Sequence, residues 1–275
     1  MRLDTKLMVL LVCSIILIIA PFTQVIIPSE FALEVYHLIY ISDFETPYLY
    51  FIHHALVFIP VFLVTLVYTR FYQADFQFRK VWLLPTFLVA ALYIFWDLLF
   101  SHLRIWGFNE KYTSDLRIGF FPMEEILWFL VIPFACLFIY TLIAKKEIKK
   151  PINAGWIYMV IASVAGLFYI WQFDRLYSAT AAGSVILVLL YSYVYFNDGI
   201  YNYFKTFIVM CTPLFLFDGL LTGMFTQEPV VVYNPLEFSN IRIVSIPIED
   251  FMFGFSYIYA IILCKDFLIS RRSTL

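Results

Sequence analysis

Charge is what this sequence has least of. Asp, Glu, Lys and Arg make up 14% of its 275 residues, against about a quarter in an ordinary soluble domain. So few charges cannot cover a water-facing surface, which excludes a soluble enzyme. The net charge of −2 offers no basic footprint for nucleic acid, so no nucleic-acid partner is expected. Cysteine is equally sparse. Cys13, Cys136, Cys211 and Cys264 all lie in apolar runs without paired spacing, and they read as small core residues rather than disulfide partners or metal ligands. Of the four histidines, His53 and His54 are adjacent, but no second histidine-rich box completes a zinc or di-iron ligand set. Gly-rich phosphate or dinucleotide loops, Asp-rich diphosphate motifs and Ser-His-Asp or Cys-His arrangements are all missing. Neither a metal nor a cofactor is expected.

What the sequence does have is apolar length. Hydrophobic residues make up 63% of it. They fall into runs at about 7–27, 48–69, 81–101, 122–143, 155–173, 179–196, 203–222 and 247–265, each near the ~20 residues that a bilayer-spanning helix needs. The expected fold is an all-α integral membrane protein of about eight transmembrane helices. The first run follows Arg2 and Lys6 as a signal peptide would, yet its apolar core is long and Ala20-Pro21-Phe22 is a poor cleavage site, so an uncleaved span is expected. With eight spans, thirteen of the eighteen basic residues fall on the side of the termini. Positive charge concentrates on the cytoplasmic side, which predicts both termini in the cytoplasm and, in a bacterium, residence in the inner membrane.

One short stretch occurs twice. Residues 117–125 read Arg-Ile-Gly-Phe-Phe-Pro-Met-Glu-Glu, and residues 242–250 read Arg-Ile-Val-Ser-Ile-Pro-Ile-Glu-Asp. The same shift of 125 residues lays Phe108-Asn109 onto Tyr233-Asn234. The two copies head the fourth and eighth spans and therefore point the same way, which makes the repeat parallel. The expected organisation is two four-helix repeats, 1–145 and 155–275, joined by a basic cytoplasmic linker at 146–154.

Each copy ends in adjacent carboxylates, Glu124-Glu125 and Glu249-Asp250, at the start of an apolar helix. Acids in such a position are costly and usually carry a task. Proline suits the first helical position, which would put the acids near the third and fourth. A single such pair could merely complement the helix dipole. Recurrence in register, with Arg117 and Arg242 each five residues before the proline, argues for more. Asp97 and Asp218 lie near the ends of the preceding spans, one helical turn apart in the repeat, so each half offers an intramembrane Asp across a loop from an acid pair. Two carboxyls held close together share a proton, and a shared proton can be donated. Glu124 and Glu249 are the expected primary acid/base residues, with Glu125, Asp250, Asp97 and Asp218 tuning or relaying the proton. Aromatic rings are abundant, and those near the acids could hold a cation without trapping it.

Pro-x-Glu-(Glu/Asp), duplicated on membrane helices, resembles the lycopene cyclases of the heterodimeric bacterial and fungal type. Phe95-Trp96-Asp97, Trp106-Gly107-Phe108-Asn109, Arg117-Ile118 and Pro122-Met123-Glu124-Glu125 carry the likeness in the first half. Phe217-Asp218, Tyr233-Asn234, Arg242-Ile243 and Pro247-Ile248-Glu249-Asp250 carry it in the second. It covers roughly 48–265, as if two small subunits were fused, and leaves 1–47 outside the pattern. The resemblance implies acid-initiated, non-redox cyclisation of the linear ends of lycopene to β-ionone rings, giving γ- or β-carotene. Such an isomerase, an intramolecular lyase, uses no cofactor. Its partners would be lycopene or a related apolar carotenoid and membrane lipid, with homo-oligomerisation left open. Arg117, Arg242, Asn109, Asn234, Trp96 and Trp106 would bind or orient the substrate. The competing expectation is a proton-coupled small membrane transporter with a carboxylate relay.

Overall fold

The computed structural model describes residues 5–28, 45–72, 78–144, 154–196 and 199–272. Among these the chain forms eight α-helices: α1 (Thr5–Ser14), α2 (Leu49–Tyr72), α3 (Leu83–His102), α4 (Met123–Ala144), α5 (Gly155–Trp171), α6 (Leu176–Tyr195), α7 (Ile200–Leu221) and α8 (Ile248–Arg272). A π-helical turn and a 3-10 turn prolong α1 to Gln24. Seven of these segments are long and apolar enough to cross a membrane, and α5 is a shorter apolar helix. Their side chains are hydrophobic almost all round, as expected of helices solvated by lipid on one side and by neighbours on the other. This is an integral membrane protein.

The packing displays the repeat. In the first half α2 packs on α4, and in the second α6 packs on α8. Across the halves α3 packs on α8, and α4 on α7. The unit that recurs is therefore three helices, α2–α4 and α6–α8. The two remaining helices, α1 and α5, both lie against α6. The N-terminal span, which precedes the first half in sequence, packs on α6 of the second. Tyr169 of α5 donates to the Ile16 carbonyl at 3.1 Å, and Asn234 donates to the Ile26 carbonyl at 2.9 Å. Gly183 on α6 permits the close approach, because a Cβ there would stand 2.6 Å from the Leu17 carbonyl oxygen. Most of the expected basic linker lies outside the described residues.

Short strands organise the two long loops. β1 (Trp106–Phe108) pairs antiparallel with β4 (Val231–Tyr233), joining the halves. The backbone bonds flanking this ribbon are reciprocal: Asn109 N–H to the Val230 carbonyl and Asn234 N–H to the Ile105 carbonyl, both at 2.8 Å. β2 (Arg117–Ile118) turns back on β3 (Phe121–Pro122), and β5 (Arg242–Ile243) turns back on β6 (Ile246–Pro247). A two-residue turn of this kind needs a left-handed backbone. Gly119 supplies it at φ 65° and, in the second copy, Val244 at φ 58°. Each hairpin sets its arginine opposite its proline and delivers the chain into α4 or α8.

Candidate functional site

The hairpins determine which acid faces inward. Proline closes each hairpin instead of opening the helix, so α4 and α8 begin one residue later than the sequence suggested, at Met123 and Ile248. Consecutive helical residues point about 100° apart, and the two members of each acid pair separate accordingly. Glu124 and Glu249 turn towards their loops. Oε1 of Glu124 accepts the Ser114 backbone N–H at 2.7 Å, and Oε1 of Glu249 accepts that of Ser239 at 2.7 Å and the Ser178 hydroxyl at 2.5 Å. Both side chains are fully buried, and neither lines the central cavity.

Glu125 and Asp250 do line it. The cavity is about 310 Å³ and takes walls from both halves. Asp97, Glu125 and Tyr50 enter from the first, and Asp218, Asp250, Tyr177 and Tyr233 from the second. The Asp97 carboxyl lies close enough to Glu125 to interact with it, and the Asp218 carboxyl to Asp250, while Oδ2 of Asp218 has no hydrogen-bond partner. Two carboxyls this close do not both ionise easily, so each pair is suited to hold a proton. Tyr50 donates its hydroxyl to Glu125, and Tyr177 donates to Asp250. Tyr233 adds a second hydroxyl on Asp250 at 2.7 Å. Burial, and next the Asp250 carboxyl, hold the Tyr233 phenol well above its ordinary pKa, so it remains a donor. At the corresponding ribbon position the first half has Phe108, without a hydroxyl. Trp106 instead donates its indole N–H to Asp97 at 2.6 Å.

Below the acids the cavity is apolar and long. On α4 it runs from Glu125 to Ile139, about 21 Å of helix at about 1.5 Å per residue. Val57, Pro60, Met210, Pro213 and Leu214 line the same stretch from α2 and α7, while Trp106, Trp128, Phe217 and Phe253 surround the acid end. A tube with reactive groups at one end suits a linear apolar molecule.

The remaining candidates sit elsewhere. Arg117 ion-pairs with Glu110 at 3.4 Å and donates to the Thr113 hydroxyl at 3.2 Å. Arg242 donates to the Ser245 carbonyl at 2.6 Å and lies over the rings of Phe238 and Tyr233, at 4.8 and 5.4 Å. Asn109 and Asn234 shape the loops: each side-chain oxygen accepts the backbone N–H two residues on, at 3.0 and 3.1 Å. Asn109 also donates to Glu228 at 2.8 Å. Trp96 packs on Tyr93, Phe100 and Phe253 behind the cavity wall. Glu237 ties the N-terminal segment to the second half, accepting the N–H groups of Ile26 and Leu176 at 2.5 and 2.8 Å. Burial raises its carboxyl above the usual pKa, and these two donors draw it partly back.

Sequence reasoning missed Tyr50 and Tyr177, and weighed His53 only as a metal ligand. A signal existed for the tyrosines: Leu49-Tyr50 and Leu176-Tyr177 open corresponding helices of the two halves. The lycopene cyclase family model matches residues 48–143 and 174–268, the two three-helix units without α1 and α5. No curated protein and no solved structure matches the chain.

Proposed function

The chain belongs to the lycopene cyclase family, with both repeats matched, and from this premise we propose that it closes the linear ends of lycopene into β-ionone rings. The family makes it a carotenoid-biosynthetic enzyme of the membrane. The finer reading rests on one observation: two pairs of neighbouring carboxyls, each bonded to a tyrosine, share one aromatic-walled cavity.

In this reading an end of the polyene lies in the tube with its terminal double bond against the acids. A carboxyl proton adds to that bond and leaves a tertiary carbocation. The neighbouring double bond attacks, a carbon–carbon bond closes the six-membered ring, and a second tertiary cation forms. Loss of a ring proton to a base makes the new double bond. Hydrogen count and redox state are unchanged, so the reaction is an isomerisation. Glu125 is the donor, backed by Asp97 and Tyr50. Asp250, which accepts two tyrosine hydroxyls, is the anion that faces the developing cation. The rings of Trp106, Trp128 and Phe253 spread the charge without bonding to it. Glu124 and Glu249 hold the loops that present their neighbours. Water would capture either cation, so the dry walls protect the product.

The test is pigment extraction from a lycopene-accumulating bacterial host that expresses this chain alone. Monocyclic or bicyclic carotene is the expected product. Unchanged lycopene, with the chain present in the membrane, overturns the reading.

A further inference from the structure

His53 and His54 open α2 beside Tyr50 and have no part in the scheme above. Both are buried. Nε2 of His54 lies 2.7 Å from the Glu124 backbone carbonyl, and its Nδ1 lies 3.3 Å from Nδ1 of His53. Nε2 of His53 is buried without a hydrogen-bond partner, and the ring lines the cavity. These contacts fix the tautomers. A carbonyl only accepts, so Nε2 of His54 carries a hydrogen. A second proton on His54 would place a cation in the apolar bundle, so its Nδ1 is a bare lone pair. Nδ1 of His53 must then carry the hydrogen that bonds it, which leaves Nε2 of His53 as a bare, buried lone pair on a residue that lines the cavity. The second half has no such base, since Thr180 and Ala181 follow Tyr177 where the two histidines follow Tyr50.

We propose that His53 is the catalytic base that removes the ring proton, with His54 as the positioning residue that fixes its tautomer. This rests on the cyclase reading. Glu125 and Asp250 are each engaged by a tyrosine hydroxyl, and Asp218, whose Oδ2 is unpartnered, belongs to the second half, away from Tyr50 and Glu125 in the chain. His53 is a neutral cavity-lining base whose Nε2 has no hydrogen-bond partner. Its Nε2 takes the proton from the ring carbon next to the cation, and the C–H electron pair becomes the ring double bond. Glu125 has by then lost its proton to the substrate, so the site holds an imidazolium and a carboxylate. Transfer of that proton from His53 to Glu125 restores both, and no external reactant is consumed. The Tyr50 ring, 5.7 Å from that of His53, stands beside both groups with its hydroxyl on Glu125.

The test compares wild type with His53→Gln and His53→Asn at equal accumulation in the membrane, reading both rate and ring isomer. Loss of a positioned general base slows the step by about 10²–10⁴-fold. The cation then sheds a proton from another carbon or captures water. The expected result is a fall in β-ring product of at least about tenfold, with ε- or γ-rings or hydroxylated products in what remains. A structural role would lower yield without changing the isomer. Nitrogen-15 NMR of histidine-labelled protein, assigned with the same variants, is expected to show His53 protonated on Nδ1 and His54 on Nε2. Unchanged rate and isomer in both variants, or a hydrogen on Nε2 of His53, overturns this assignment alone. Absence of any cyclised product from wild type overturns the cyclase reading and this proposal with it.

Discussion

Gly107 sits directly opposite Val232 in the ribbon that joins the two halves. These residues are separated by the same 125 positions that relate the two acid pairs, so the pseudo-two-fold axis of the molecule passes between them. Phe108 pairs with Val231, and Trp106 with Tyr233, which are each other's counterparts under that shift. The ribbon is thus self-complementary, as an isologous contact between two subunits would be. It fixes both acid-bearing loops relative to each other, which is why two copies of a motif far apart in sequence deliver carboxyls to one cavity.

The separation of adjacent acids predicts a clean mutational split. Glu125→Gln and Asp250→Asn remove cavity-facing carboxyls and should each lower cyclisation by about 10²–10⁴-fold. Glu124→Gln and Glu249→Gln keep an acceptor for Ser114 and Ser239 and should leave turnover near wild type. Pigment quantification against membrane protein level checks all four. Equal losses across the set would mean that the loop-facing acids take part in the chemistry.

The tyrosine hydroxyls should matter through the acids they touch. Tyr50→Phe and Tyr177→Phe each remove a bond to a carboxyl, worth about 1.5–3 kcal/mol when the acceptor is charged. A loss of about 10–100-fold in turnover is expected, with substrate affinity little changed, because the ring remains in the wall. Tyr233→Phe and Tyr177→Phe each leave the other hydroxyl on Asp250, so each should cost less than Tyr50→Phe. Steady-state kinetics in vesicles separates these effects.

Val244 is a β-branched residue in a left-handed backbone, at the position where the first copy has Gly119. Val244→Gly should raise stability by about 0.5–1 kcal/mol, the relief of left-handed strain less the greater chain entropy of glycine. Gly119→Val, the reverse change in the other copy, should lower it by about 0.5–1 kcal/mol. Thermal denaturation in detergent reads both signs.

Gly183 should behave as a contact point for the N-terminal helical segment. Gly183→Val places carbon where the Leu17 backbone stands and should cost about 1–3 kcal/mol by overpacking. Since α1 lies outside the cavity, the expected result is easier proteolysis of residues before 28 with residual cyclase activity. Unaltered protease resistance would mean that α6 holds the segment by other contacts.

The spans were legible because a bilayer demands apolar length, and each of the eight runs starts within a few residues of its helix. The duplicated acids and Asp97 and Asp218 were legible as a group, since buried carboxyls in apolar helices are rare. Which acid of each pair turns inward was not, because one residue of helical phase decides it. That phase depends on a two-residue hairpin that ends at Pro122 or Pro247. Nor could three-residue strands such as Trp106–Phe108 reveal their partner, as so short a segment has no periodicity to read. The site of α1 depends on a tertiary fit at Gly183 with no local signature. His53 looked like half of an absent metal site, and only the Glu124 carbonyl beside His54 gives the pair a direction.

The central claim is that a carboxyl proton starts a redox-neutral ring closure, and cyclisation in deuterium oxide tests it most directly. Mass spectrometry of the product should show one deuterium gained per ring formed, on the carbon that was protonated, and Glu125→Gln should yield neither ring nor label. Rings formed without deuterium from a fully exchanged enzyme, or a product two hydrogens lighter than lycopene, would contradict the account.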